Sequence, residues 1–232
     1  MQREIVLDTE TTGLKANGGD RLVEIGCVEL FNRIPTGKEF HAFINPQGRA
    51  VHPEALAVHG ISNEFLGDKP TFDGVVAEFI EFISEDQLVI HNAPFDIGFL
   101  NMELERIKQP LIMMERVVDT LALARRKHPA GPNTLDALCK RYGVDSAIRT
   151  KHGAIVDSLL LADVYVELLG ERQAKLGLAQ SGQAGGEGRR RAVKAAQRPE
   201  PLPARLTDGD RAEHEAFVET LGDGAVWKSY SA

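Results

Sequence analysis

The stretch IVLDTETTG, residues 5–13, joins a short apolar run to two carboxylates that stand two residues apart. Alternate side chains of a β-strand point to the same face, so a strand over residues 5–10 places Asp8 beside Glu10. Two such anions repel each other unless a cation lies between them, and Mg2+ and Mn2+ take carboxylate oxygens as ligands. The stretch therefore predicts a metal site at a strand end. For this pair alone, the alternative is a solvated strand end that turns at Gly13.

A third carboxylate, Asp96, closes the stretch HNAPFD at residues 91–96. The apolar residues 88–90 before it predict a strand. Asn92 is a favourable helix N-cap, and Pro94 is tolerated in the first helical turn. Asp96 is thus predicted to lie in the first turn of a helix just beyond a strand, where its alternative role is a favourable interaction with the helix dipole.

The stretch HGAIVD, residues 152–157, adds a histidine and a fourth carboxylate. Residues five apart on one helix differ by roughly 140° of rotation, so His152 and Asp157 would not share a helical face. Gly153 between them predicts that His152 lies on the preceding loop and Asp157 in the early turns of the helix. A mobile histidine beside a fixed carboxylate suits a general base. A solvent-exposed loop histidine without a role is the alternative.

Taken together, these motifs resemble the DEDDh family of 3′–5′ exonucleases, and within it the proofreading exonucleases of bacterial replicative polymerases. The similarity extends to VHGIS at residues 58–62 and covers roughly residues 1–170, with all five expected active-site positions occupied. It implies an α/β, ribonuclease H-like fold with a mixed β-sheet flanked by helices. It also implies hydrolysis of the 3′-terminal phosphodiester of DNA with release of a 5′-nucleoside monophosphate.

The same resemblance implies two divalent metal ions, Mg2+ or Mn2+, as cofactors. Asp8 would bridge both ions, Glu10 and Asp157 would complete the site that holds the attacking water, and Asp96 would support the second ion. His152 would act as the general base. Asp8, Glu10 and Asp157 are also implied to contact the substrate.

Two further substrate contacts are implied in the segment HPEALAVHGI, residues 52–61, where Glu54 and His59 match positions that contact the terminal nucleotide. Gly60 would let the backbone approach the substrate closely. The alternative is that His59 simply ends a short helix opened by Pro53, with Gly60 as its C′ residue.

Composition bounds the class of protein. A chain of 232 residues, 43% of them hydrophobic, holds one domain of about 150–200 residues plus extra segments. No apolar run approaches the roughly 18 residues of a membrane span and no signal peptide is visible, so a cytoplasmic protein without a membrane partner is expected. Cys27 and Cys139 are interpreted as buried thiols in a reducing compartment, since two distant cysteines predict neither a disulfide nor a zinc site.

The net charge of −7 argues against strong autonomous binding to nucleic acid, whose phosphates are held by Lys and Arg. This charge is consistent with an enzyme that receives the DNA 3′ end from a partner. It is equally consistent with a protein whose surface is acidic on average but contains a local basic groove.

Periodicity predicts the elements of a mixed sheet covered by helices. Strands are expected near residues 3–8, 22–31, 37–44, 87–91 and 117–119. Short helices are expected around 53–66, and single helices near 72–83, 94–108, 120–128, 134–142 and 154–170. Asp119, at the end of the last strand, is interpreted as structural.

The chain is divided into an exonuclease domain over residues 1–172, a flexible basic linker over 173–205 and a docking segment over 206–232. Seven Lys or Arg stand against two Glu between residues 171 and 198. Gln173, Leu176 and Leu178 resemble the short peptides that bind sliding clamps, with Leu178 in the place of the usual aromatic residue. A frayed helix end is the alternative.

The docking segment carries a thin apolar stripe that includes Phe217, and then Trp227, the only tryptophan of the chain. A stripe this small cannot build a core, so the segment is expected either to be disordered or to dock onto a partner. Aromatic anchors dominate docking energies. The resemblance implies that this segment tethers the chain to the polymerase alpha subunit, at an effective concentration of roughly millimolar. Two other functions compete with proofreading: an RNA 3′-end-processing exonuclease of the same superfamily, and a non-catalytic structural subunit of a polymerase.

Overall fold

A five-stranded mixed sheet forms the centre of the first of two units, residues 1–177 and 178–232, in the computed structural model. The structure describes residues 2–147, 151–170 and 206–222. The strands are β1 (Arg3–Thr11), β2 (Leu22–Phe31), β3 (Ile34–Phe43), β4 (Gln87–Ile90) and β5 (Val117–Asp119), in the order β3-β2-β1-β4-β5. β2 runs antiparallel to β1 and to β3, whereas β4 is parallel to β1 and to β5.

Seven helices of this unit connect and cover the strands in the described ranges. They are α1 (Pro53–His59), α2 (Asn63–Leu66), α3 (Phe72–Ile83), α4 (Ala93–Arg106), α5 (Thr120–Lys127), α6 (Leu135–Tyr142) and α7 (Ala154–Leu169). The expected fold class is confirmed. The short helices predicted around residues 53–66 are confirmed as α1 and α2. Gly60, left-handed with φ 76°, ends the first of these. The structure differs from the expectation where β3 begins at Ile34 rather than near residue 37, and where β1 continues to Thr11 rather than ending near residue 8.

Strand β1 is buried on both faces because helices cover the sheet on either side. Ile5 and Leu7 belong to the core formed with α3 and α4, whereas Val6 belongs to the core formed with α5, α6 and α7. The alternation of a strand then continues to its end, so Asp8 and Glu10 lie on the same face as Val6. The fold thereby directs both carboxylates towards α7.

Helix α7 is attached to the sheet at two points. Near its start, Ser158 Oγ donates a hydrogen bond of 2.9 Å to the carbonyl of Gly26 in β2. Further along, Tyr165 donates a hydrogen bond of 2.7 Å to the fully buried carboxylate of Glu4, which also accepts one of 2.8 Å from Arg33 Nε. The buried hydroxyl of Tyr165 and the buried carboxylate of Glu4 thus both have hydrogen-bond partners. The two attachments fix α7 to the sheet along its length.

The glycine at position 26 allows this close approach. A Cβ built on Gly26 would lie 2.3 Å from the backbone carbon of Ala154 and from the backbone nitrogen of Ile155, in the first turn of α7. Gly26 is also the register partner of Asp8. Only a residue without a side chain therefore lets α7 begin against the sheet beside Asp8.

Replacing Gly26 with alanine is expected to move the start of α7 and to lower both stability and activity. Overpacking of a close-packed interior costs about 1–3 kcal/mol, and here the clash is with backbone that cannot rotate away. Urea unfolding followed by circular dichroism measures the loss. Gly98→Ala is the matched control, because a Cβ at that helical position meets nothing within 4 Å and should be neutral or stabilising. Equal unfolding midpoints for wild type and Gly26→Ala would contradict this account.

The second unit contains helix α8 (Asp208–Thr220) within its described residues. Thr207 caps it and forms a capping box with Asp210. Phe217 of the predicted docking segment is 61% exposed on this helix. Gln173, Leu176, Leu178 and Trp227 lie outside the described residues.

Two expectations from composition can be compared with the structure. Cys27 and Cys139 are both buried, and no disulfide joins them. Across residues 2–147, 151–170 and 206–222, no helix has the length and apolar character that a membrane crossing requires.

Candidate active site

Four carboxylates from three elements meet at the carboxyl end of β1. Asp8 and Glu10 project from the strand itself. Asp157 lies in the first turn of α7 and Asp96 in the first turn of α4, and each of these two residues is 3% exposed. Thr9 joins strand to helix by donating a hydrogen bond of 2.7 Å from Oγ1 to Asp96 Oδ1. The structure thus brings together all four acids predicted from the motifs.

Electrostatic repulsion dominates this cluster. Removal from water raises the pKa of the Asp8 carboxyl well above its usual range, and the nearby charges of Asp96, Glu10 and Asp157 raise it further. Burial likewise raises the pKa of Asp96, against the opposing effect of its hydrogen bond from Thr9. Carboxylates held so close repel one another when they are ionised, and a bound cation stabilises their ionised form. This arrangement is typical of a site for hard divalent ions.

His152 reaches this cluster from the segment before α7. Its Nδ1 lies 3.2 Å from Asp157 Oδ2, while its side chain remains 44% exposed. Ligand atoms of Glu10, His152 and Asp157 all lie within 4.8 Å of one another. As expected, Gly153 separates a loop histidine from a helical aspartate. The set of oxygen donors with one imidazole fits a divalent metal centre.

A cavity of about 590 Å³ opens beside Glu10 and is lined by both residues predicted to contact the terminal nucleotide. Glu54 is exposed on α1, whereas His59, at the end of the same helix, is buried. The ring of His59 accepts a hydrogen bond of 3.0 Å from the Ile61 amide at Nδ1, and its Nε2 lies 3.3 Å from the Thr11 carbonyl. Burial lowers the pKa of His59, which favours the neutral ring that this pattern requires. Its alternative role at the end of the helix is therefore realised, and contact with substrate remains a prediction.

One further carboxylate of the site was not predicted. Glu24 in β2 is the register partner of Glu10, is 3% exposed and lies 2.7 Å from His41 through Oε1 and Nε2. Its charge contributes to the raised pKa of Asp8. A single acid inside the apolar run LVEIGCV, residues 22–28, was the signal that could have revealed it.

The segment between β4 and α4 differs from the prediction in one respect. Asn92 occupies the N-cap position, but its side chain makes no capping hydrogen bond and its backbone is left-handed, with φ 68° and ψ 48°. The expectation of a side-chain cap was wrong, since asparagine is here used for its tolerance of that conformation. The backbone N–H of Asn92 donates a hydrogen bond of 3.1 Å to Asp119 Oδ1. The same oxygen caps α5 by accepting a hydrogen bond from the backbone N–H of Leu121. Asp119 is structural, as interpreted.

Comparison with solved structures places this fold among known nucleases. Exonuclease X in complex with 5′-overhanging duplex DNA aligns with a TM-score of 0.59 and 26% identity, covering 72% of this chain and 92% of that one. Fold and site together define an enzyme of the exonuclease class.

Sequence comparison narrows this class. The family model described as exonuclease matches residues 5–165. DNA polymerase III subunit epsilon of Rickettsia conorii (strain ATCC VR-613 / Malish 7) is 53% identical over 175 residues, covering 74% of this chain and 76% of that protein. The subunit of the same name from Escherichia coli (strain K12) is 43% identical over 241 residues, covering 98% of each chain. The chain belongs to the exonuclease family, in the group of the DNA polymerase III epsilon subunits.

Proposed function

We infer that this chain is a 3′–5′ DNA exonuclease that proofreads for a replicative polymerase by removing the 3′-terminal nucleotide as a 5′-monophosphate. The observation that supports this most strongly is the convergence of Asp8, Glu10, Asp96 and Asp157 with His152 at the end of one strand. Relatives along the whole chain are named as subunits of a polymerase, which favours DNA over RNA as the substrate.

We propose Mg2+ or Mn2+ as the metal, held by Asp8, Glu10, Asp96 and Asp157. When bound, two such ions lower the pKa of a water molecule and stabilise the attacking and leaving oxygens of a phosphodiester displacement. Fixed carboxylates on a strand and two helices hold this arrangement without reorganisation during the reaction.

The protein groups supply the proton transfer and the orientation of the substrate. Asp157 Oδ2 orients the imidazole of His152 through Nδ1, so Nε2 is the ring nitrogen that takes the proton from the attacking water. Glu54 and His59 would position the terminal nucleotide in the adjoining cavity, His59 through a ring already fixed by two backbone groups. Accurate placement of the terminal phosphate relative to His152 lowers the entropic part of the barrier.

The parts of the chain outside the exonuclease domain would bind partners. We assign the exonuclease to residues 1–172, a linker to 173–205 and docking to the polymerase alpha subunit to 206–232, through Phe217 and Trp227. The exposed Phe217 on a capped amphipathic helix suits binding in an apolar groove. Gln173, Leu176 and Leu178 would bind the sliding clamp, and the protein would work in the cytoplasm with the replication machinery.

An assay with defined 3′ ends tests the function directly. A primer–template with a 3′ mispair, single-stranded DNA and single-stranded RNA are each incubated with the full chain in Mg2+, Mn2+ or EDTA. The expected products are deoxynucleoside 5′-monophosphates, formed with metal and abolished by EDTA. Chromatography of the products distinguishes 5′- from 3′-monophosphates.

Two results of this assay would overturn the proposal in different ways. Preferential release of nucleotides from RNA would favour the RNA-processing alternative. Absence of cleavage with either metal, in protein shown by circular dichroism to be folded, would favour the structural-subunit alternative.

A further inference from the structure

A second hollow, also of about 590 Å³, opens on the other side of the carboxylate cluster. Asp8, His152 and Asp157 belong to its lining, together with Arg125 from the last turn of α5. Glu10 instead lines the first cavity, beside Glu54 and His59. The carboxylate cluster therefore contributes to the lining of two separate openings.

The two openings differ in chemistry. The lining of the first includes the side chains of Leu14, Val58 and Phe95, which suits the base and sugar of a nucleotide. The second combines Leu121 and Leu135 with the polar residues Asn133 and Thr134 and with Arg125, whereas Arg49, which lines the first, is paired with Asp20. Polar groups around one guanidinium suit a phosphodiester rather than a base.

Arg125 is exposed, and within the described ranges no hydrogen bond or ion pair engages its guanidinium. Most other arginines of this unit are engaged: Arg116, for instance, donates to backbone carbonyls, and Arg141 donates to Asn133 Oδ1 and to the Pro132 carbonyl. A guanidinium held beside an acidic centre without a carboxylate partner is suited to a ligand that brings its own negative charge.

The loop between α5 and α6, which lines the hollow, is held by its own hydrogen bonds. Asn133 Nδ2 donates hydrogen bonds of 3.1 Å to the carbonyls of His128 and Gly131, which closes the loop between α5 and α6 on itself. Arg141 secures the same loop from α6. His91 completes the wall with Nδ1 2.9 Å from Thr120 Oγ1, and burial lowers its pKa. The hollow is thus preorganised.

We propose that Arg125 binds a phosphate of the DNA strand upstream of the scissile bond, so that the strand being shortened leaves the active site through this second hollow. The proposal rests on the exonuclease function proposed above. It also gives a chain of net charge −7 a local cation that offsets repulsion where the polyanionic strand passes the four carboxylates.

A comparison of two substrates distinguishes binding of an upstream phosphate by Arg125 from participation of Arg125 in the hydrolysis itself. An oligodeoxythymidylate contains upstream phosphates, whereas the p-nitrophenyl ester of thymidine 5′-monophosphate contains the nucleotide and the reacting phosphate alone. Arg125→Ala should lower kcat/KM for the oligonucleotide about tenfold, the size of one charge-assisted contact, and change that for the ester less than about twofold. The slope of log KM against log salt for the oligonucleotide should fall by about 0.7, the value for one phosphate of a single strand.

Arg126→Ala is the matched control, because Arg126 is the adjacent residue of the same helix, is exposed and lies outside the hollow. It should leave both substrates unchanged. Equal losses for oligonucleotide and ester in Arg125→Ala, or no loss for either, would overturn the proposal. Wild-type protein that hydrolyses neither substrate would overturn the exonuclease function itself, and the inference with it.

Discussion

Asp8→Asn is expected to abolish nucleotide release, with a fall in kcat of at least about 10³-fold, and to leave the fold intact. Asp8 lies among the carboxylates of Glu10, Asp96 and Asp157, and as the proposed shared ligand it would contact both metal ions. Stabilisation of transition-state charge by metal ions is worth several kcal/mol, and each 1.36 kcal/mol corresponds to a tenfold change in rate. Release of labelled nucleotide from a 3′ end in Mg2+ measures the effect.

The same substitution is expected to stabilise the metal-free protein. Burial, and then the repulsion from neighbouring carboxylates, raise the pKa of Asp8 because both disfavour its charged form. A neutral isostere removes both penalties, so Asp8→Asn should melt at a higher temperature than wild type in EDTA. Mg2+ should then raise the melting temperature of wild type, since a ligand at 100 times its Kd adds about 2.7 kcal/mol. The variant should respond far less.

Asp68→Asn is the control for the change in net charge. Asp68 is an exposed residue beyond α2 that pairs only with its neighbour Lys69 among the described residues, so its variant should retain both the activity and the response to Mg2+. Near-normal cleavage by Asp8→Asn would refute the assignment of the carboxylates as the metal centre.

His152→Ala is expected to reduce kcat about 10²–10⁴-fold, the usual contribution of a general base. The imidazole is 44% exposed and 3.2 Å from Asp157, so its removal should cost little stability. Single-turnover cleavage of a 3′-labelled oligonucleotide measures the chemical step.

His152→Gln distinguishes proton transfer from positioning. Glutamine can still hydrogen-bond to Asp157, but it cannot take a proton, so it should be as slow as alanine. Added imidazole should restore part of the activity of His152→Ala, because the vacated space admits the missing base. Recovery of most activity by glutamine alone would show that His152 acts by orienting other groups.

The parts of the site that could be predicted from sequence are those in which local backbone geometry determines where a side chain points. The two-residue spacing of Asp8 and Glu10 in a strand determines that they share a face, and Gly153 separates a loop residue from a helical one. Boundaries of α3, α4 and α7 followed from apolar spacing for the same reason. The meeting of Asp96 with Asp8 depended instead on the resemblance, since no local rule brings residues 88 positions apart together.

The features that escaped prediction depend on pairing across the sheet. Glu24 joins the cluster only through its register with Glu10, and a sequence does not display register. Arg125 lines the hollow beside Asp8 only because β5 pairs in parallel with β4 and so places the start of α5 at the same edge of the sheet. The left-handed backbone of Asn92 likewise follows from the amide contact with Asp119, 27 residues away.

The close approach of α7 to Gly26 has a genetic consequence. A bacterium whose gene specified alanine there would carry an unaltered polymerase and every catalytic side chain, yet the helix that presents Asp157 would be displaced. Mispaired termini would then be extended instead of removed. A single methyl group in the second strand of the sheet would then be inherited as an elevated mutation rate.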